Sequence, residues 1–368
     1  MKQAHTQRML RLLFWESTIQ CNLTCAHCRR LESNEATDTD MTTDQAKDMI
    51  DQLAVVGAQQ PMMPILVFSG GEPLVRKDLF ELVAYARSKG LIVALATNGT
   101  LIDAALAQRI ADSGIERVSI SLDGATAATH DHMRQLEGSF DQAIKGINCL
   151  RDCQVPFQIN MTLTKHNCNE LEALYDLAQT LGAVAVHPFM LVPVGCGVEL
   201  AETDMLDPMQ YEEALKKVAE LEARGALEIK VTCGPHYERV KREMGLHQQP
   251  SGKPPHAPGA HPHGRTSRGC LAGLGVIFVG HQGDVFPCGY LPVHCGNILK
   301  QPLEAIWKHN PDLACMSDSD QLQGKCGVCG FRKVCGGCRA RAYGTTQNYM
   351  AEEPFCVYQP PKTKNSEL

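Results

Sequence analysis

Cys21, Cys25 and Cys28 lie on one short stretch at CxxxCxxC spacing. Thiolates are soft ligands that suit iron–sulfur clusters. Three of them on one loop can hold three irons of a cubane [4Fe–4S] cluster and leave the fourth iron open to a small molecule. Four-cysteine ferredoxin runs are spaced differently and give every iron a protein ligand. Zinc is the other metal that Cys-x-x-Cys pairs bind. A cysteine triad directly after a predicted strand is an unusual arrangement for it. His27, just before the third cysteine, is read as a packing group rather than a ligand.

A second cysteine set lies far downstream. Cys270 is followed by Gly283 and Cys288, then by Cys326-x2-Cys329-x5-Cys335-x2-Cys338 and Cys356. This spacing permits zinc knuckles as well as clusters. Cys149, Cys153, Cys168 and Cys315 sit in helical or loop patterns and read as ordinary buried residues. Cys196, in the loop Val192–Gly197, is left open.

The 17 cysteines are odd in number and bunched towards the two ends of the 368 residues. No export signal precedes them. Metal sites in a reducing compartment explain this better than disulfides, so a cytoplasmic location is expected. A net charge of −6 gives no support for nucleic-acid binding. No apolar run reaches the length of a membrane span. Hydrophobic content of 44% with 21% charged residues is ordinary for a globular chain.

The elements that must position these cysteines alternate strand and helix. Apolar runs at 12–18, 65–69, 92–97, 117–121, 157–162 and 184–189 read as strands. Segments 42–56, 78–90, 103–114, 140–153 and 169–182 read as helices, the first capped by Thr42 or Thr43 and several closed by glycine. Near-continuous apolar strands separated by helices pair in parallel. In such sheets ligands lie at the carboxyl ends of the strands. The polar motifs fall there: the cysteine loop, Gly70-Gly71-Glu72-Pro73, Thr97-Asn98, Ser121 with Asp123, and Asn160. The stretch 248–265 is rich in Pro, Gly and His (His256, His261, His263) and reads as a linker. The expected division is therefore 1–245, a linker at 246–266, and a cysteine-rich domain at 267–368.

The cysteine loop resembles the signature of the radical S-adenosylmethionine (SAM) family, and Gly70–Pro73 resembles that family's GGEP motif. The resemblance implies a partial (β/α)6 TIM-like barrel. It also implies that SAM binds the open iron and is cleaved to an adenosyl radical. Gly70, Gly71, Glu72 and Pro73 would then meet the methionyl ammonium, with Glu72 offsetting its charge. Asn98, Ser121, Asp123 and Asn160 would face or flank the nucleoside. The run His130–Arg134 resembles a segment whose Arg reaches the SAM carboxylate; a surface ion pair is an equal reading of Arg134.

The downstream set resembles a SPASM domain. By that family's pairing, Cys326, Cys329, Cys335 and Cys356 complete one auxiliary [4Fe–4S] cluster. Cys270, Cys288 and Cys338 hold a second whose fourth ligand has no clear match; Cys233, Cys295 or a substrate group are the options. Two residues separate Cys335 from Cys338 where the family usually has three, which leaves Cys338 open. One or two auxiliary clusters are thus expected.

Segments 13–18, 187–196, 232–237, 283–292, 334–343 and 351–356 resemble the tetrapyrrole branch of the radical SAM/SPASM family. The reaction implied is oxidative decarboxylation of two propionates of iron-coproporphyrin III to vinyls, giving haem b. The alternatives are removal of acetates from didecarboxysirohaem, or maturation of a peptide or protein. Peptide maturases often carry an N-terminal recognition domain, and the lead before Cys21 is short. The partners implied are an iron-porphyrin and electron donor and acceptor proteins. Arg29, Arg30, Arg339 and Arg341 are candidate propionate contacts by position, with a solvated surface charge the plainer reading of each.

Overall fold

The computed structural model describes residues 8–29, 40–246 and 269–361. Ten strands form one sheet: β1 Leu12–Glu16, β2 Ile65–Ser69, β3 Ile92–Thr97, β4 Arg117–Ser121, β5 Phe157–Leu163, β6 Ala185–Met190, β7 Glu228–Ile229, β8 Val276–Val279, β9 Asp284–Phe286 and β10 Gly296–Asn297. Their order is β10-β9-β8-β1-β2-β3-β4-β5-β6-β7. Pairing is parallel from β8 across to β7, and antiparallel only between β8, β9 and β10.

The first six strands fall where the apolar runs place them. Two additions extend the sheet. β7 continues it beyond β6. β8, from the cysteine-rich C-terminal part, pairs with β1 with Leu12 opposite Val276. Sequence reasoning counts six βα units because β7 has only two residues and β8 reaches β1 across more than 250 residues of chain.

Helices α1 Thr43–Ala58, α2 Leu79–Ser88, α3 Ala104–Ser113, α4 Ala127–Arg134, α5 Ser139–Asp152, α6 Leu171–Leu181, α7 Gly197–Asp204, α8 Pro208–Ala223 and α9 Tyr237–Glu243 follow the parallel strands. Their ends are written locally. Thr42 and Gln45 form a capping box at α1, and Asp103 caps α3. Gly114 (φ 74°) and Gly182 (φ 87°) close α3 and α6 in the left-handed region. The C-terminal part adds α10 Leu303–His309, α11 Pro311–Ser317, α12 Gly324–Val328 and α13 Arg339–Thr346.

The two-residue period of the strands sorts their side chains. Leu13 and Trp15, Leu66 and Phe68, Val93 and Leu95, Val118 and Ile120, and Ile159 and Met161 are buried in the main core. The alternate positions Phe14, Val67, Ala94, Ser119 and Asn160 line a cavity of about 1280 Å³. Small residues on β3 and β4 give that cavity its depth. The polar positions of β4 and β5 thus face an interior space and not bulk water. The histidines of the proposed linker and Arg30 lie outside the described residues.

Candidate functional site

The cysteine loop is stitched across the carboxyl ends of β2 and β3. Ser17 donates its N–H to Ser69 O (2.8 Å), Gly71 to Thr18 O (2.8 Å) and Glu72 to Gln20 O (2.8 Å). A Cβ on Gly70 (φ 135°) would lie 2.4 Å from Thr18 O, and one on Gly71 2.1 Å from Gln20 O. These glycines let the end of β2 pass directly against the cysteine loop. Asn98 Nδ2 donates to Asn22 Oδ1 (2.8 Å), which ties the same loop to β3. Cys21, Cys25 and Cys28 all line the cavity, as do Gly70, Gly71, Asn98, Ser121, Arg134 and Asn160. Ser121 and Asn160 are register neighbours on β4 and β5.

Glu72, Pro73 and Asp123 stand behind this wall. Glu72 is fully buried, and its carboxylate accepts hydrogen bonds from Thr97 Oγ1 (2.7 Å), Asn98 N (2.8 Å) and Leu74 N (3.1 Å). Burial pushes its pKa up. Its charge is directed into the protein, where it fastens the β3 turn. Asp123 is also fully buried. Burial alone would raise its carboxyl, but the charged Arg134 guanidinium beside it holds it below the usual range. Its Oδ1 accepts from Thr162 N (2.8 Å), and its N–H donates to His130 Nδ1 (3.1 Å).

Arg134 forms a buried ion pair with Asp123 (2.7 Å) rather than a surface one. Its Nη1 lies 3.6 Å from Cys25 Sγ, and its Nε has no hydrogen-bond partner. A buried cation with a spare donor beside three thiols suits both an anionic thiolate cluster and a carboxylate ligand. His27, 3.5 Å from Asp123, is held neutral by burial and lines the same wall.

The second cysteine set divides between two spaces. Cys326, Cys329, Cys335 and Cys356 line a small pocket with His236 and Arg239. Cys270, Cys288 and Cys338 line the large cavity. Gly336 (φ 81°) and Gly337 (φ 62°) are both left-handed. This two-glycine turn points Cys335 to one space and Cys338 to the other, so the short link does not draw Cys338 away from Cys270 and Cys288. Tyr290 lies within electrostatic reach of Cys28 and also of Cys233 and Cys288. Among the described residues no three His, Cys, Asp or Glu side chains are drawn together tightly enough for a single metal ion.

Arg339 and Arg341 are neither solvated charges nor cavity cations: both are buried. Arg339 donates to Tyr349 O and Ala351 O (2.8 Å each). Arg341 pairs with Glu353 (3.1 Å) and donates to Cys233 O (2.9 Å). They brace the C-terminal fold. Arg29 does line the cavity, stacked 4.2 Å over Phe278 and paired with Glu16 at 2.6 Å. Burial opposes ionisation of Glu16, yet His281 and Arg29 bring its pKa down to about 2.

A barrel-like parallel sheet with three thiols at its mouth, followed by a thiol-rich appendage, is the architecture of a radical SAM enzyme with auxiliary clusters. The radical SAM superfamily model matches residues 15–178, and the SPASM iron–sulfur cluster-binding domain matches 270–330. The AdoMet-dependent heme synthase of Methanosarcina barkeri is 44% identical over 96% of this chain and 97% of its own length. That of Nitratidesulfovibrio vulgaris is 41% identical over 95% and 93%. The Fe-coproporphyrin III synthase of Methanosarcina barkeri is 29% identical over 94% and 87%. SuiB of Streptococcus suis, solved with its precursor peptide SuiA, shares the fold: TM-score 0.71 at 17% identity, covering 95% of this chain and 76% of that one.

The chain belongs to the radical SAM superfamily and is an enzyme that uses S-adenosylmethionine and [4Fe–4S] clusters. The iron–sulfur match of the C-terminal region replaces the zinc-knuckle alternative.

Proposed function

We propose that the chain makes haem by oxidatively decarboxylating two propionates of iron-coproporphyrin III to vinyl groups. The observation that carries this reading is the single large cavity that both the Cys21–Cys28 triad and Cys270, Cys288 and Cys338 line. It has the volume for a planar macrocycle beside SAM. Phe14, Phe189, Phe278 and Tyr290 give it aromatic walls, and Arg29, Arg117 and Lys230 give it positive charge for carboxylates. The identity to haem synthases, 44%, well exceeds the 29% to the Fe-coproporphyrin III synthase.

Each propionate must lose a hydrogen atom from the carbon next to the ring, CO₂ and one electron. SAM, when bound, supplies the hydrogen-abstracting group, and Cys21, Cys25 and Cys28 would hold the cluster that activates it. Arg134, fixed by Asp123, would receive the methionyl carboxylate. Gly70, Gly71, Glu72 and Pro73 would shape the seat of the methionyl ammonium, the glycines by close approach and Glu72 by fixing Thr97 and Asn98. Asn98, Ser121 and Asn160 would flank the nucleoside, with Asp123 fixing the wall behind them. Cys326, Cys329, Cys335 and Cys356 would hold an auxiliary cluster in their own pocket outside the large cavity, suited to relay the released electron to an acceptor protein.

An anaerobic assay with SAM, reductant and iron-coproporphyrin III tests the reading by mass spectrometry. A monovinyl intermediate should appear first, then a product lighter by two CO₂ and four hydrogens. Unchanged iron-coproporphyrin III, with didecarboxysirohaem losing its acetates instead, would sink it.

A further inference from the structure

The large cavity has a second charged end, away from the cysteine triad. Arg11, Arg117 and Lys230 all line it. Arg11 directly precedes β1, Arg117 opens β4, and Lys230 follows the two residues of β7. Lys230 shares a strand face with Glu228, which pairs with Arg117 at 3.4 Å. In the sheet order β7 lies six places from β1. A flat sheet would hold Lys230 and Arg11 about 29 Å apart. Yet the charge of Arg11 acts on Lys230, as does that of Arg117. The sheet therefore curls, and the three cations converge across the amino side of the cavity. Along β4, Arg117 stands four residues, or about 13 Å, before Ser121 at the carboxyl end where the triad lies.

Lys230 lies inside the molecule, where burial pushes its ammonium pKa down, yet it keeps accessible surface, and that surface faces the cavity. Arg11 and Arg117 push in the same direction, and Glu228 opposes them. Glu116 lines the same end and is not among these charges. Among the described residues no carboxylate comes within ion-pair distance of Lys230 or Arg11. Like charges gathered in a cavity without matching carboxylates favour an anionic ligand. A hydrogen-bonded row runs from this end towards the nucleoside wall. Arg117 donates to Gln158 Oε1 (3.4 Å), and Gln158 Nε2 donates to Asn160 Oδ1 (3.0 Å) and lies 2.9 Å from His187 Nδ1.

We infer that Arg11, Arg117 and Lys230 form a carboxylate seat that grips the substrate propionates which are not removed. Iron-coproporphyrin III carries four propionates, and two survive in the product. The reacting pair must reach the carboxyl ends of the strands, where the triad and the SAM seat lie. The cation cluster stands at the other end and can meet only the side chains remote from that reaction. Gripping the surviving pair there fixes which edge of the macrocycle is presented to the adenosyl group. This seat presupposes the tetrapyrrole substrate proposed for the chain.

The carboxylates of haem b are the surviving pair, so haem b and its dimethyl ester are the probes. Absorption titrations of the reconstituted full-length chain give both dissociation constants. Wild type should bind haem b at least about tenfold more tightly than the ester, the worth of one charge-assisted hydrogen bond or more. K230Q should lose about tenfold for haem b and keep its affinity for the ester. A merely structural role of Lys230 would weaken both alike. R11Q should act in the same direction and decides the matter if K230Q does not fold. Equal binding of haem b and ester by wild type, or a full preference for haem b in K230Q and R11Q, overturns the seat and leaves the tetrapyrrole reading standing. Wild type that binds neither porphyrin sinks that reading and the seat with it.

Discussion

His130 is a buried imidazole whose Nδ1 accepts the Asp123 N–H, so its proton sits on Nε2. Burial, with Arg134 nearby, lowers its pKa from 6.5 to about 4. Between those values the unfolded chain binds the proton and the folded chain does not. His130 therefore makes stability fall as pH drops from about 6.5 to about 4, by up to about 3 kcal/mol. Asn in its place can accept the same hydrogen bond without titrating. Urea unfolding of wild type and H130N at pH 7 and pH 5 should show a smaller loss in the variant; equal losses would remove His130 as the cause. The identities of such residues are legible in the sequence, whereas their directions are not. Glu72 stands in a recognisable motif, but its carboxylate turns to Thr97 and Asn98 because the N–H groups of the β3 turn lie within reach. Arg134 reads equally as a surface charge until Asp123, on another element, is placed beside it.

At the scale of elements, the contact between the β2 turn and the cysteine loop is the tightest feature of the site. G71A drives a methyl group into Gln20 O, a backbone atom with little room to retreat. The expected result is a loss of at least about 3 kcal/mol of stability and of SAM cleavage, since the cysteine loop must shift. Thermal melts with an assay for 5′-deoxyadenosine check this; normal cleavage by G71A would show that the loop position is not needed. The six predicted strands and their glycine-closed helices emerge because hydrophobic run and cap lie within one short window. The alternation Gln158-Ile159-Asn160-Met161-Thr162 is equally plain in the sequence, but period alone does not say whether the polar face meets water or a cavity. That answer depends on the curvature of the sheet and on Ala94, Ala96 and Ser119 on neighbouring strands. β7 and β8 stay hidden because one is too short for a pattern and the other pairs with a strand at the far end of the chain.

At the scale of the whole molecule, the separate pocket of Cys326, Cys329, Cys335 and Cys356 makes the clusters separable. Replacing all four with Ala should remove about four irons per chain. SAM cleavage should continue, because the triad has its own loop and its own supports. Iron analysis with a 5′-deoxyadenosine assay checks both halves; zinc in place of the missing iron in wild type would refute it. The place of β8 at the edge of β1 carries a consequence for how the chain is made. As it emerges from the ribosome, β1 can find β2 early, but its other edge stays bare until residues 276–279 have been synthesised. An uncovered strand edge is a template for pairing with other chains. A nascent chain stalled before that point would display an apolar, cysteine-tipped edge, open to aggregation and to oxidation, and chaperone protection is most needed during that interval.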